Sequence, residues 1–305
     1  MHLFQEQSCI IGLPYLPHQE ERMEAHMDQK LFPRTNIGGL SVSRMIMGTN
    51  NIMGGSHRTM ARDNHIKEIN NNREAVAEIV QTYLHYGVDT IIGCLVGHDF
   101  AMDGIRLAEQ RSGQKVNVIE LAVFDTADSP EARASAEGVI KRCKESGIDI
   151  VLPLHYVVEQ LINKGKRKIE RIEDYLYMIR DHGMIPGLSA HMPEVVEFTD
   201  ENGYDVETYI QIYNAAGFLM QIEVEGVHRV IWEAKKPVLT IKPMAAGHLN
   251  PFVGLTFVWN SIREQDMVAV GCMTPGEARE VVEYSMAALE HRRPVVGERL
   301  HQYAK

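Results

Sequence analysis

Short apolar runs alternate along this chain with longer stretches in which apolar residues recur every three or four positions. Eight of the runs have strand length: Arg44–Met47, Thr90–Ile92, Asn117–Val123, Ile148–Leu154, Ile185–Leu188, Tyr209–Ile212, Val238–Ile241 and Met267–Val270. Most are near-continuous, as expected of strands buried on both faces. A helical stretch follows each run before the next begins. This rhythm predicts an α/β fold, a (β/α)8 TIM barrel, whose reactive groups gather at the carboxyl ends of the strands.

The stretches between the runs carry helix start and stop signals. Arg73–Tyr86 sets Val76, Ile79, Val80, Tyr83 and Leu84 on one face, and Gly87 can end it. Ser129-Pro130 reads as a cap followed by proline at the first helical position, with Gly147 as the stop. Ile172–His182 stops at Gly183, and Thr274-Pro275-Gly276-Glu277 has capping-box spacing. Residues 1–31 are polar and read as an N-terminal extension. Residues 32–305 read as a single barrel domain with no internal boundary. Lys164–Arg171 reads as a solvated loop or helix face. The first loop is long, contains His57–His65 and Asn70–Asn72, and can bend at Gly54 and Gly55, so it is a candidate lid.

A chain of 305 residues can bury a large core without metal or disulfide. Asp plus Glu number 41 against 31 Lys plus Arg, a net charge of −10, which disfavours nucleic acid and anionic membrane as partners. Cys9, Cys94, Cys143 and Cys272 have no C-x-x-C spacing and fit free thiols in a reducing compartment. The start lacks the basic and apolar regions of a signal peptide, and no apolar run approaches membrane-spanning length. The expectation is a cytoplasmic protein with a small-molecule substrate. Its composition leaves the oligomeric state open.

The chemistry-bearing residues fall at strand ends. His98, His155, His191 and His248 lie at or just past them, with Asp99 and Asp125, and Lys242 closes the seventh run. Asn50 and Asn51 follow the first. His155, which closes an apolar strand, is the leading catalytic candidate. His98 is a second, because imidazole titrates near neutrality. His98, His155 and His191 are also candidate ligands for a divalent metal, although no H-x-H or H-E-x-x-H spacing occurs. Cys94 and Cys272 read as small buried residues.

Several stretches, in order, resemble the aldo-keto reductase superfamily. Arg34-Thr35-Asn36-Ile37-Gly38-Gly39-Leu40-Ser41-Val42-Ser43-Arg44 with Met47-Gly48-Thr49 resembles its opening, where a hairpin closes the barrel bottom. Tyr86-Gly87-Val88-Asp89-Thr90 is similar to its second strand entry, and Leu152-Pro153-Leu154-His155 to its fourth strand, which ends in the catalytic histidine. Gly187-Leu188-Ser189-Ala190-His191, Tyr213-Asn214 and Lys242-Pro243-Met244-Ala245-Ala246-Gly247 resemble the ends of the fifth to seventh strands. Val270-Gly271-Cys272-Met273-Thr274-Pro275 with Glu280 resembles the eighth strand and its cofactor-gripping helix start.

The resemblance implies reduction of a small carbonyl by NADH or NADPH, with Tyr213, Asn214, Lys242, Gly271, Thr274 and Glu280 as cofactor-binding positions. Tyr213 would stack on the nicotinamide. The resemblance also marks a divergent member. Of the family's tyrosine, lysine, aspartate and histidine, only the histidine is matched, by His155. Ile92 stands at the aspartate position, Gly97 at the tyrosine, and Ala122, Val123 or Phe124 near the lysine. A reductase built this way needs a different acid, His98 or His155. Glu277, where the family often has a basic residue, favours NAD over NADP and also suits a helix cap. The alternatives are a metal-dependent lyase, isomerase or hydrolase using strand-end histidines, and a non-catalytic nucleotide-binding member.

Overall fold

A computed structural model describes residues 30–296. Apart from Lys30 and Leu31, the expected polar extension lies outside them, as does Cys9. The chain opens on an antiparallel hairpin, β1 (Arg34–Ile37) and β2 (Leu40–Ser43). The barrel strands are β3 (Met45–Gly48), β4 (Thr90–Gly93), β5 (Asn117–Ala122), β6 (Ile150–Pro153), β9 (Ile185–Pro186) with β10 (Leu188–Ser189), β11 (Tyr209–Ile212), β12 (Val238–Ile241) and β13 (Met267–Gly271). All their pairings are parallel. β9 pairs with β6 and β10 with β11, and only Gly187 separates β9 from β10. The ring therefore closes through one interrupted fifth strand, and the eight expected strands form the expected (β/α)8 barrel.

Alternation along each strand builds two cores. Ile46, Ile92, Ile119, Ile150, Ile210 and Leu239 pack with one another inside the ring. Their chain neighbours Met45, Met47, Ile91, Val118, Val151 and Val238 pack outward against the helices. Burial of each such side chain stabilises the fold by roughly 1.5–3 kcal/mol before chain entropy is set against it. This is why the runs carry little polar residue: neither face of the pleat meets water.

The hairpin sits at the amino ends of the strands. Ile37 and Val42 join the inner core. Arg34 pairs with Asp89 at 2.8 Å, just before β4, and Thr35 Oγ1 donates to Gln265 O at 2.9 Å, just before β13. The bottom is thus sealed and the carboxyl ends form the open mouth.

The helices are α1 (Asn50–Met53), α2 (Met60–Asn70), α3 (Arg73–His85), α4 (Asp99–Ser112), α5 (Pro130–Glu145), α6 (His155–Glu159), α7 (Ile172–Asp181), α8 (Glu194–Asn202), α9 (Val224–Glu233), α10 (Pro251–Ser261) and α11 (Pro275–Leu289). The caps read from sequence are in place. Ser129 Oγ accepts from Ala132 N, and Thr274 Oγ1 accepts from Glu277 N, both at 3.2 Å. Glu277 reaches back to Met273 N at 2.7 Å, one residue short of the cap position.

Two segments differ from the sequence reading. Lys164–Arg171 is not a plain loop or helix face: it carries the turn and second strand of a ribbon, β7 (Ile162–Asn163) and β8 (Lys168–Ile169), with Lys164 paired to Glu194 and Arg167 to Glu201. The long first loop holds α1 and α2. Its α2 is largely polar, so no apolar stripe announces it.

Candidate active site

Most of the barrel strands deliver residues to the mouth. Gly48 and Gly271 come from β3 and β13, Ile92 and Gly93 from β4, Leu121 from β5, Ser189 from β10 and Ile241 from β12. They form the floor of a cavity of about 1110 Å³. Gly93 is required by a close approach: a Cβ there would lie 2.0 Å from Thr49 Oγ1, which itself donates to Ile92 O at 2.9 Å.

Lys242 is the reactive group most firmly placed. Alternation puts Ile241 inside the ring and would turn Lys242 outward among the helices. Instead Lys242 takes a left-handed backbone, φ +60°, and its side chain enters the mouth. Ala245 and Ala246 are also left-handed, φ +49° and +52°. Such residues cost about 1–3 kcal/mol each and cluster where function requires them. The turn is held by Ala245 N to Lys242 O at 2.9 Å and by α10 packed behind it. A Cβ at Gly254 of α10 would lie 2.6 Å from Pro243 O.

Lys242 Nζ lies 2.8 Å from His57 Nε2, and Asn50 Nδ2 donates to the same nitrogen at 3.1 Å. The ring proton of His57 is therefore on Nδ1. Burial lowers the Lys242 amine to about 8. His57 is also lowered, by burial first and then by the Lys242 charge, against a weaker pull from Asp63. At neutral pH a mostly protonated amine donates to a neutral imidazole.

His155 begins α6, and its ring stacks on His191 with centroids 3.9 Å apart and planes inclined by 23°. The stack is set from α6, where Glu159 Oε1 accepts from His191 N at 2.6 Å and Met192 N at 3.2 Å. Burial, then His155, Lys242 and His57, push His191 down to about 4. His155 is lowered by burial, with Glu159 opposing and Lys242 adding to the shift. Both rings are neutral at pH 7.

The remaining expected positions divide sharply. His98 lines the mouth, exposed at the cap of α4, and takes no part in these hydrogen bonds. Gly271 lines it too, and its carbonyl accepts from Asn51 Nδ2 at 3.0 Å. Tyr213 does not line it. It is 1% exposed beneath the helices, with its ring 5.2 Å from Phe257. Asn214 is fully buried and folds its own loop, bonding Ala216 N, Phe218 N and Phe218 O. Thr274 spends its hydroxyl on the α11 cap, and Glu280 is exposed on that helix, away from the cavity lining.

At the missing positions, Ile92 lines the mouth and Gly97 does not. On β5 the inward residue is Leu121, while Ala122 is buried outside the ring, Phe124 packs on Tyr175 and Val123 is exposed. Cys94 lines the cavity but burial raises its thiol to about 11. Cys272 is buried beside the Tyr83 hydroxyl at 3.0 Å and is pushed up to about 12.

The three-histidine metal set is not assembled. Among the described residues no group of three His, Cys, Asp or Glu side chains is placed to hold a metal ion. Nearly parallel stacked rings aim their in-plane lone pairs side by side rather than at a common point, so His155 and His191 are poorly set to share an ion with His98.

His57 is the residue that strand-end reasoning missed as a participant. It lies well past β3, and the turn at Ser56, held by Asp63 at 2.7 Å to Ser56 N, returns it to the mouth. The only sequence signal was its place in a long, glycine-hinged loop. That loop is fastened down: Asn70 Nδ2 donates to Asn51 O at 3.0 Å and Met273 O at 3.1 Å.

No protein-family model and no curated protein sequence matches the chain. Solved structures do. A protein of Pseudomonas aeruginosa assigned to the aldo-keto reductases aligns with a TM-score of 0.61 at 16% identity, over 86% of this chain and 99% of that one. An aldo/keto reductase of Klebsiella pneumoniae, solved with NADP and acetate, aligns at 0.51 and 14%, over 89% and 94%. D-psicose 3-epimerase of Clostridium cellulolyticum H10, solved with D-tagatose, aligns at 0.50 and 11%, over 81% and 99%. At these identities the likeness establishes the fold alone, a (β/α)8 barrel. The epimerase shows that the same architecture serves other chemistry.

Proposed function

We propose that this chain is an aldo-keto-reductase-like enzyme acting on a small carbonyl compound, with the Lys242–His57 pair as proton donor where the family uses tyrosine. The observation that carries the reading is the 2.8 Å contact between Nζ and Nε2 in a mouth whose floor is largely apolar and whose lining holds no carboxylate among the described residues. An amine titrating at about 8 is matched to proton transfer near neutrality. As charge develops on the carbonyl oxygen, the Lys242 ammonium gives it a proton and becomes a neutral amine, held in place by its contact with His57 Nε2 and reprotonated from solvent. His155 and His191 present neutral edges that orient the substrate.

Reduction of the carbonyl requires NADH or NADPH as hydride source. The residues expected to grip that cofactor do not fit it as a set. Only Lys242 and Gly271 line the mouth, Tyr213 is packed under Phe257, and the α11 start is occupied by its own cap. The proposal is therefore confined to carbonyl polarisation and proton delivery, steps that a reductase shares with an isomerase or lyase. A second reading follows from the same buried amine: Lys242 in neutral form can add to the carbonyl carbon and expel water, leaving an imine.

The test is turnover of an aldehyde and 2-oxo-acid panel by wild type and Lys242→Met, with NADH, with NADPH and with neither. Loss of about 10²-fold or more in the variant supports the reading. Activity indifferent to Lys242 refutes it. A rate that falls as pH rises through 8 identifies Lys242 as the acid, and one that climbs identifies it as the attacking amine. Nucleotide binding without turnover of any carbonyl would favour a non-catalytic member.

A further inference from the structure

The mouth is electrically unlike the rest of the molecule. The chain carries a net charge of −10, yet among the described residues no aspartate or glutamate lines the cavity. Arg58, Arg62 and Lys242 do line it. Most of the other described arginines are matched by carboxylates, among them Arg34 by Asp89, Arg180 by Asp205 and Glu207, Arg263 by Asp266 and Arg292 by Glu283. Arg58 and Arg62 have no carboxylate partner among the described residues. Arg62 instead rests its Nη2 against Met273 Sδ at 2.7 Å, which holds the guanidinium at the rim. The acid on that loop, Asp63, does not line the cavity and is taken up by Ser56 N and Oγ at 2.7 and 2.5 Å.

Three cations around one cavity with no countercharge repel one another, and the usual structural remedy, a neighbouring carboxylate, has been left out. A bound anion would supply that countercharge, and a positive mouth on a negative protein concentrates anions there. Guanidinium groups at the rim suit the two-oxygen edge of a carboxylate or phosphate, and the amine lies deeper.

We infer that the substrate is a small anionic carbonyl compound, its carboxylate or phosphate held by Arg58 and Arg62 while its carbonyl faces Lys242. This rests on the carbonyl reading above for the reacting end, but the anion site stands on the charge arrangement alone.

Isothermal titration of the full chain with oxalate, inorganic phosphate and neutral acetamide tests it. The expected result is one site for at least one anion, none for acetamide, and an affinity that falls with added salt. Tighter oxalate binding assigns a carboxylate handle, and tighter phosphate a phosphorylated one. Arg58→Gln with Arg62→Gln should weaken the anion about tenfold or more, whereas Arg58→Lys with Arg62→Lys, which keeps the charge but not the paired N–H geometry, should bind tighter than the glutamine pair and weaker than wild type. That rescue separates loss of charge from misfolding.

Absence of anion binding in wild type, or unchanged affinity in the glutamine pair, overturns the inference. So does NADPH that displaces the anion and loses as much affinity in the glutamine pair, because the cations would then serve a nucleotide. Anion binding that survives while no carbonyl turnover depends on Lys242 removes the proposed function and leaves the anion site standing.

Discussion

Replacing Lys242 with methionine should make the protein more stable at pH 7 while removing its chemistry. Methionine is unbranched and one atom shorter, so it matches the aliphatic stem and, being non-glycine, leaves the cost of the φ +60° backbone unchanged. What it removes is an ammonium whose pKa falls from an ordinary 10.5 to about 8. That fall corresponds to roughly 3 kcal/mol of unfavourable burial of the charged form, cut to about 1–2 kcal/mol by water at the open mouth. Loss of the hydrogen bond to His57 offsets part of it, although Asn50 still donates to that nitrogen. The sign with pH is specific. Below about 8 both folded and unfolded chains hold the proton, and the penalty is complete. Between 8 and 10.5 the folded chain has released it while the unfolded chain has not, so wild-type stability rises with pH. Urea unfolding at pH 7 and at pH 10 should therefore show the variant ahead by about 1 kcal/mol at pH 7 and a narrower gap at pH 10. A variant less stable than wild type at pH 7, or a gap that does not narrow, would refute the assignment of a strained, desolvated amine.

Proton NMR of the imidazoles should find His191 neutral down to about pH 5, with its titration moving upward in Lys242→Met; a midpoint near 6.5 in wild type would contradict the stacked, cation-flanked environment. Glu120 is buried on β5, where Oε2 accepts from Leu95 N and Val96 N and burial raises the carboxyl to about 7. Its penalty grows as pH rises from 4.5 through 7, so Glu120→Gln, which keeps one accepting oxygen, should stabilise by about 1–3 kcal/mol at pH 8 and little at pH 4.5. Equal effects at both pH values would count against it. Asn70→Ala removes the ties from α2 to Asn51 O of α1 and to Met273 O after β13, and should cost about 1–3 kcal/mol with faster amide exchange over residues 60–70. Unchanged exchange there would show that α2 is held by other contacts.

The barrel was legible before any coordinates because its cause is local. A strand buried on both faces must be largely apolar, and that requirement is written along Ile150 to Leu154 and Val238 to Ile241, where Thr240 is the one polar exception. Caps such as Ser129 and Thr274 are equally local, since each binds an amide within the next few residues. The strand-end position of His155 and the closing lysine at 242 follow from the same logic.

Other features depended on chain segments distant in sequence. His57 meets Lys242 across 185 residues, and nothing near either one in the chain announces the partner. Tyr213 shows the converse. It sits in a familiar-looking stretch beside a strand end, yet its ring packs on Phe257 of α10, outside the mouth. The charge of the mouth is likewise a collective property, because Arg58 and Arg62 are ordinary loop and helix residues until the fold withholds carboxylates from them. The sequence by itself determined the eight-stranded barrel and the end of it that carries chemistry, through requirements of burial met residue by residue. Only the tertiary structure decided which side chains share that mouth, because contact across a closed ring is set by backbone turns such as the left-handed one at Lys242, and hydrophobic periodicity carries no record of them.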